Sequence, residues 1–233
     1  MQISNFTLAL AAFVLIHVGI SATGLRGRLV GALGERVYRG LFALASLAIL
    51  VWLVIAFGRM RADPADLLNT WLWVPPAWTR HAAQALALAA FLLVVPGLLT
   101  ANPTTAGFEK RMGEDAAKGI VRITRHPFLW GVALWAAGHL LANGERYAVM
   151  LFGALGLMAL YGARSIDRKS KARDPEAWSK FLTVTSNIPF AAIVQGRNKL
   201  VLGELWWKLL VAVVVYAAVA YGHVYLVGVS AVP

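Results

Sequence analysis

Residues 38–58 read YRGLFALASLAILVWLVIAFG, and Arg39 is the one charged side chain among them. An α-helix needs about 20 mainly apolar residues to cross the hydrocarbon core of a bilayer. This stretch is 21 residues long, so it predicts a transmembrane helix. The rest of the chain can therefore be searched for further spans of the same kind.

The composition of the 233 residues agrees with a membrane protein. Apolar residues make up 59% of the chain, charged residues make up 14%, and the mean hydropathy is +0.66. Soluble domains are about 45–50% apolar and about 25% charged. The absence of cysteine excludes thiolate zinc sites, iron–sulfur clusters, covalently attached c-type haem and thiol nucleophiles.

Further apolar runs predict an all-α, polytopic transmembrane bundle of about six spans in a single integral membrane domain, residues 1–233. The first run has no basic residue before it, so we interpret it as a span with the N-terminus outside, and not as a cleaved signal peptide. With six spans both termini are then outside, and we expect a multi-pass protein of a bacterial inner membrane. The predicted spans are residues 3–24, 38–58, 81–100, 127–142, 148–163 and 206–228.

The net charge of +11 is distributed as membrane topology requires. The predicted inner loops (25–37, 101–126 and 164–205) with their flanks hold 18 basic residues, and the outer side holds four. Cytoplasmic loops of membrane proteins carry such an excess of Lys and Arg. We therefore expect the basic loops to meet anionic lipid, above all the interfacial loop 164–205, and expect no nucleic acid partner.

Five histidines are the candidates for chemistry. His17 and His139 lie inside predicted spans, whereas His81, His126 and His223 lie near span ends. An ionisable residue inside a span is a functional candidate by default. A single such histidine often only bonds to a neighbouring helix, but two can ligate one metal from facing helices of a bundle. Without cysteine or a nearby carboxylate, haem iron is the metal that suits two imidazoles in an apolar slot.

The tripeptide Arg125-His126-Pro127 lies at the predicted cytoplasmic end of the fourth span. Proline is favoured in the first turn of a helix, where its missing N–H costs nothing. Arg122 and Arg125 are predicted to bind an anion at this end of the span. The candidate anions are a haem propionate, a nucleotide and a lipid phosphate. At the opposite end of the span, Asn143 either caps the helix or takes part in the chemistry.

Several motifs, in the same order along the chain, resemble the NnrU family of membrane proteins. The longest is IVRITRHPFLWG, residues 120–131, which continues through Leu134-Trp135 to the stretch from His139 to Gly144. The resemblance covers about residues 5–200. Further matching motifs are Phe13 to His17, Leu25-Arg26, Leu33 to Arg39, Ala101 to Thr104, Ile166 to Lys169 and Thr185 to Ile193.

The resemblance implies a function and a cofactor. Bacterial members of the family are linked to denitrification, and plant and cyanobacterial relatives include 15-cis-zeta-carotene isomerase, a haem b enzyme. By motif, the haem ligands and catalytic residues fall on His17 and His139. The isomerase has a cysteine three residues before its second histidine, and Ala136 stands there in this chain. The remaining residues assigned to the cofactor site are Arg122, Arg125, His126, Trp130, Trp135 and Asn143.

Two kinds of ligand follow from the haem hypothesis: an apolar polyene that enters from lipid, or a small nitrogen oxide. A more distant resemblance, carried by Arg125-His126-Pro127 and Gly131, is to the isoprenylcysteine methyltransferases, which bind S-adenosylmethionine. This chain has Leu129 where those enzymes usually have tyrosine. A membrane methyltransferase and a non-catalytic accessory subunit are therefore the alternative hypotheses.

Overall fold

The fold was derived from a computed structural model, which describes residues 4–20, 23–105 and 116–232. These residues contain no β-strand beyond one isolated bridge between Trp71 and Glu145, so the all-α prediction is confirmed. The α-helices of the described residues are α1 (Asn5–Val14), α2 (Leu25–Leu33), α3 (Glu35–Ala62), α4 (Trp78–Leu98), α5 (Pro127–Ala142), α6 (Arg146–Arg173), α7 (Pro175–Val184), α8 (Ala191–Val194) and α9 (Trp206–Val227).

Within the described residues, four helices are long and apolar enough to cross a membrane: α3, α4, α6 and α9. The first predicted span, residues 3–24, corresponds to the helical stretch Asn5–Ile20, whereas the predicted inner loop 25–37 contains helix α2. These two helical stretches meet at 78°, and they count as a fifth span if they cross as one. The predicted fourth span is α5, which has 16 residues and is therefore about 24 Å long, short of the roughly 30 Å hydrocarbon core. The polytopic helical fold is thus confirmed, with four to five clear spans in the described residues.

The chain divides into two compact units. Unit 1 contains Met1–Val74 and Gly144–Ala154, and unit 2 contains Pro75–Asn143 and Leu155–Pro233. Helix α6 contributes its first turns to unit 1 and the remainder to unit 2. The single integral membrane domain remains a prediction.

Unit 1 is built on the packing of α1 against α3. Phe6 is fully buried, and its ring lies 6.0 Å from the ring of Phe57 on α3. Helix α1 continues as a π-helical segment from Leu15 to Ile20, which holds His17. Main-chain hydrogen bonds from Leu72 to Gly144 (2.7 Å) and from Arg146 to Thr70 (3.1 Å) tie the loop after α3 to the start of α6.

Unit 2 is built on α4, against which α5 and α9 both pack. Glycines let the backbones of α4 and α5 approach closely, as small residues do at helix interfaces in membranes. A Cβ at Gly97 would lie 3.0 Å from Pro127 Cγ, and one at Gly138 would lie 3.1 Å from the carbonyl of Ala83. Both ends of α5 are therefore held against α4.

The predicted loop 164–205 is largely helical. Helix α6 runs on to Arg173, and α7 begins at Pro175 with Asp174 as its N-cap, whose carboxylate accepts from Ala177 N at 3.0 Å. Trp178 and Phe181 of α7 are buried in a core cluster. That cluster comprises Leu93, Ala117, Ile120, Val121, Ile123, Trp178, Phe181 and Leu205. The start of α7 and the segment before α5 thus share one hydrophobic core.

Candidate functional site

A charged cluster lies at the N-terminal end of α5. Asp167 Oδ1 accepts a hydrogen bond from His126 Nε2 at 2.6 Å. The Arg125 guanidinium donates to the same carboxylate, with Nη2 2.6 Å from Oδ2 and Nε 3.0 Å from Oδ1. Both partners of the ion pair are largely shielded, with 11% of the Arg125 side chain and 21% of the Asp167 side chain exposed. Asp167 therefore fixes the arginine and the histidine together.

The main chain around this cluster is held by side chains and carbonyls from distant segments. Asn102 Nδ2 and Thr104 Oγ1 both donate to the carbonyl of Arg125, at 3.0 and 2.7 Å. The Arg125 N–H donates to the Ser186 carbonyl at 3.0 Å. Trp130 Nε1 donates to Asn187 Oδ1 at 3.0 Å. Segments that are far apart in sequence thus meet at the start of α5.

His126 is the most confined side chain of the cluster, because only 1% of the residue is exposed. Burial lowers the pKa of its imidazole below the usual value, although Asp167 favours the protonated form. The ring is then neutral, with its proton on Nε2 and its lone pair on Nδ1. Nδ1 is buried and has no hydrogen-bond partner among the described residues.

Arg122 pairs with a different carboxylate. Its Nε and Nη2 each lie 2.9 Å from an oxygen of Glu204, and Nη1 donates to Asn198 Oδ1 at 2.8 Å. Gly119 N also donates to Glu204, at 2.5 Å. Hydrogen bonds from the Arg122 guanidinium lower the pKa of the Glu204 carboxyl to about 2. An anionic group of a cofactor would have to compete with Glu204 for Arg122, and with Asp167 for Arg125.

His17 lies in the π-helical segment of unit 1. Its Nδ1 donates to the Phe13 carbonyl at 2.8 Å, and its ring is 4.3 Å from the Phe13 ring and 5.6 Å from the Phe42 ring. π-Helical turns occur frequently at functional sites. The imidazole is thus oriented by its own helix and flanked by aromatic rings.

His139 lies near the end of α5, in unit 2. Its Nδ1 donates to the Trp135 carbonyl at 2.9 Å, and the Trp135 ring is 4.5 Å away. Asn143 Nδ2 donates to the His139 carbonyl at 2.8 Å, which makes it a cap of the helix end. The ring of His223, on α9, lies 6.5 Å from that of His139.

His17 and His139 share one local arrangement. Each donates Nδ1–H to the carbonyl four residues earlier, so each has the tautomer with its lone pair on Nε2. Metal-bound histidines almost always donate their other ring nitrogen in this way, and the bond fixes both tautomer and orientation. No group of three or more His, Asp or Glu residues that could hold a metal ion occurs within residues 4–20, 23–105 and 116–232.

The predicted site residues of unit 2 form two groups at opposite ends of α5. Arg122, Arg125, His126 and Trp130 lie at its start, whereas Trp135, His139 and Asn143 lie toward its end. His126 and His139 are 13 residues apart, which is about 20 Å along a helix. The sequence alone assigned no role to Glu204, and it singled out Asp167 only as part of the motif from Ile166 to Lys169.

An apolar cavity of about 170 Å³ lies between α4 and α5 in unit 2. It is lined by Ala90, Phe91, Val94, Gly131, Val132 and Trp135. Trp135 thus faces this cavity and also contacts the ring of His139. An apolar ligand in the cavity would lie next to Trp135.

These observations define an all-helical, polytopic membrane protein with histidines on its apolar helices. The chain belongs to the NnrU family, because the family profile described as "NnrU protein" matches residues 5–231. The resemblance inferred from the motifs is therefore confirmed.

Two curated relatives are similar over most of the chain. The 15-cis-zeta-carotene isomerase of Zea mays chloroplasts is 33% identical over 196 residues, which are 81% of this chain and 50% of the relative. The isomerase of Arabidopsis thaliana chloroplasts is 32% identical over 198 residues, 84% of this chain and 51% of the relative. The chain thus spans about half the length of these relatives. No solved structure matches it.

Proposed function

We propose that this chain is an integral membrane haem b protein in which His17 and His139 are the axial ligands. The observation that carries the proposal is the shared tautomer of the two imidazoles, each with Nδ1–H bound to a carbonyl and its lone pair on Nε2. A haem iron takes neutral imidazole nitrogen as its axial ligand. The two neutral imidazoles are therefore suitable ligands for haem, which when bound supplies a redox-active iron.

The residues around each histidine have specific roles in this proposal. The carbonyls of Phe13 and Trp135 orient the imidazoles and strengthen them as ligands. Phe13 and Phe42 flank His17, and Trp135 flanks His139, so each imidazole lies against aromatic rings. Asn143 caps the C-terminal end of α5 by a hydrogen bond to the carbonyl of His139.

For the reaction we propose the cis-trans isomerisation of a polyene. The two curated relatives described above are 15-cis-zeta-carotene isomerases. The wholly apolar lining of the cavity beside Trp135 also suits a section of an apolar chain better than an ion. Support of nitrite and nitric oxide metabolism is the second candidate role, which rests on the family alone. The proposed location is a bacterial inner membrane.

Absorption spectra of the purified protein test the haem proposal. The chain in mild detergent is expected to show a Soret band and, after dithionite, the sharp bands of a six-coordinate ferrous haem. His17→Ala and His139→Ala each remove one axial bond, so each is expected to retain less haem through purification. His81→Ala is the matched control, since His81 is an exposed histidine at the start of α4.

A wild-type protein that stays colourless after haem is supplied would overturn the haem proposal. S-adenosylmethionine binding that depends on Arg125 and His126 would then favour the methyltransferase, and a stable protein partner without cofactor would favour the accessory subunit. If haem binds, conversion of 15-cis-zeta-carotene by the reduced protein tests the isomerase activity. Haem binding without conversion would favour the role in nitrogen oxide metabolism.

A further inference from the structure

Helix α7 is the amphipathic helix of the basic loop 164–205, but it is not suited to lie on a membrane. Its apolar residues Trp178 and Phe181 are buried in the core cluster. Its outer face carries the ion pair of Glu176 and Lys180, whose side chains are 83% and 59% exposed. A helix in a membrane interface turns its apolar face toward the acyl chains. The apolar face of α7 is already packed against protein, so the face that remains exposed carries charge.

The segment that follows α7, residues 188–207, has the opposite distribution. Val194 is 84% exposed, and Phe190 is 50% exposed. The exposed large apolar residues of the segment include Ile188, Phe190, Val194, Leu200, Leu202 and Trp206. Exposed apolar surface of this extent marks a site of contact with a membrane or with another protein.

Hydrogen bonds fix the backbone of the 188–207 segment. Ser186 Oγ donates to the Ile188 carbonyl at 2.7 Å and accepts from Ala192 N at 3.0 Å. The Phe190 N–H donates to the carbonyl of Ile123 at 2.8 Å, and Ala192 is fully buried. A defined backbone, and not a loose loop, therefore presents the exposed apolar side chains.

Phe190 has an unusual backbone conformation. Its φ is 65°, and among the described residues it is the only residue other than glycine with a positive φ. This left-handed conformation is unfavourable for a bulky side chain and suits glycine or asparagine better. Such strain is concentrated at functional positions. A large, half-exposed aromatic ring at this position therefore has a role at the surface of the protein.

The charge of the 188–207 segment is positive. Arg197 and Lys199 are both exposed. Arg197 donates to Gln195 Oε1 and to main-chain carbonyls at the end of α7, and these acceptors are uncharged. Glu204, the one acidic residue of the segment, is bound by Arg122. A positive surface beside exposed apolar side chains is complementary to anionic lipid.

The position of the segment in the chain identifies the surface that covers it. Helix α9 begins at Trp206 and is long and apolar enough to cross a membrane, so the residues just before it lie at the membrane surface. We infer that the 188–207 segment lies in the headgroup region of an anionic leaflet. Phe190 and Val194 reach the acyl boundary, and Arg197 and Lys199 meet the lipid phosphates. This interaction needs no haem, so it goes beyond the proposed function.

A fluorophore on a single cysteine tests the depth of the segment, because the chain has no cysteine of its own. Val194→Cys carries a polarity-sensitive nitrobenzoxadiazole group, and the full chain is reconstituted into phosphatidylcholine vesicles with or without phosphatidylglycerol. The emission is expected to shift to shorter wavelength, and lipids with a nitroxide on the upper acyl chain are expected to quench it. Both effects should be stronger with phosphatidylglycerol. Glu176→Cys, on α7, is the matched control and should show neither effect.

Two substitutions separate the ring from the charge. Phe190→Asn keeps a residue that tolerates the left-handed backbone but removes the ring, so the Val194→Cys probe should lose part of its quenching. Lys199→Gln should reduce the difference between the two lipid mixtures. Leu202→Cys is a second probe position, at an exposed apolar residue, and should behave as Val194→Cys does.

The inference is overturned if the probes at residues 194 and 202 emit as the probe at residue 176 does in both mixtures. That result would mean that the segment stays in water and that its apolar side chains await a protein partner. The inference is also overturned if quenching does not depend on phosphatidylglycerol, because the basic residues would then have no part in the interaction.

Discussion

Asp167 accepts hydrogen bonds from both Arg125 and His126, so its removal affects two buried groups at once. We predict that Asp167→Asn destabilises the protein by about 3 kcal/mol, because breaking a shielded pair leaves the Arg125 charge without compensation. The measurement is the thermal unfolding midpoint in detergent, compared at one protein and detergent concentration.

Glu176→Gln is the matched control for this substitution. Glu176 and Lys180 form an ion pair at 2.8 Å on α7, but 83% and 59% of their side chains are exposed. Exposed pairs contribute little to stability. Equal losses in the two variants would mean that the Asp167 cluster does not stabilise the fold.

Glu204 gives a prediction for the dependence of stability on pH. The pKa of its carboxyl is lowered from 4.5 to about 2, first by hydrogen bonds from Arg122. A group with a lowered folded-state pKa stabilises the protein fully above the unfolded value, and this contribution is lost as the pH falls through the folded value. We therefore predict that the stability advantage of wild type over Glu204→Gln is constant near neutral pH and shrinks between pH 4.5 and about 2.

Denaturant unfolding of both proteins across that range measures the advantage. Glu176→Gln, which removes an exposed carboxylate, reports how much other surface acids contribute. A wild-type advantage that persists unchanged down to the folded-state pKa would contradict the role assigned to Glu204.

The sequence identifies some of these side chains but not their partners. His17 and His139 stand out because each is a polar residue within an apolar run. Asp167 and Glu204 do not stand out, because their partners lie 42 and 82 residues away in the sequence. Contacts at such a separation follow from how the helices pack, and a motif of neighbouring residues does not contain that information.

The contact between α4 and α5 depends on glycine. A Cβ at Gly131 would lie 2.8 Å from the carbonyl of Ala90, which is closer than real Cβ atoms come to backbone. We predict that Gly131→Ala destabilises unit 2 by about 1–3 kcal/mol, because the helices must move apart. It should also reshape the apolar cavity that Gly131 lines.

Gly153→Ala on α6 is the matched control, since a Cβ at this position would have nothing within 4 Å of it among the described residues. Alanine is the better helix former, so this variant should be as stable as wild type or more stable by up to about 1 kcal/mol. Thermal unfolding of the two variants checks both expectations. A Gly131→Ala protein as stable as Gly153→Ala would contradict the close packing.

Helices were predictable from the sequence where the apolar runs are long, as in α3, α4 and α9. The end of α6 was not, because hydropathy stops at residue 163 whereas the helix continues through a basic stretch to Arg173. Lys and Arg are good helix formers, so a helix can leave the membrane without ending. Helix α7 is too short and too polar to be predicted as a span. Its buried face, formed by Trp178 and Phe181, is recognised only from the core cluster that the structure shows.

The two longest basic loops of the chain meet in unit 2. Arg122 pairs with Glu204, and Arg125 pairs with Asp167, so the segment before α5 lies beside the segments that end α6 and precede α9. The described parts of the 101–126 and 164–205 loops that hold these pairs are therefore at the same end of unit 2, as the distribution of basic residues predicts. Helix α5 begins at this end of unit 2, and α6 leads the chain back to it. We expect α5 and α6 to form two passes, as the apolar runs of the sequence predict.

Cysteine labelling tests this arrangement, because the chain has no cysteine of its own. Lys118→Cys and Glu176→Cys place a thiol at an exposed position in each of the two basic loops, and Ser230→Cys places one beyond α9. A membrane-impermeant maleimide added to right-side-out vesicles should label Ser230→Cys at once, because α9 separates it from the basic loops. Lys118→Cys and Glu176→Cys should react only after the vesicles are permeabilised. Opposite labelling of Lys118→Cys and Glu176→Cys would mean that α5 does not cross. In that case the charge pairs Arg122–Glu204 and Arg125–Asp167 could not form in the membrane, and loss of the Asp167→Asn effect should accompany that result.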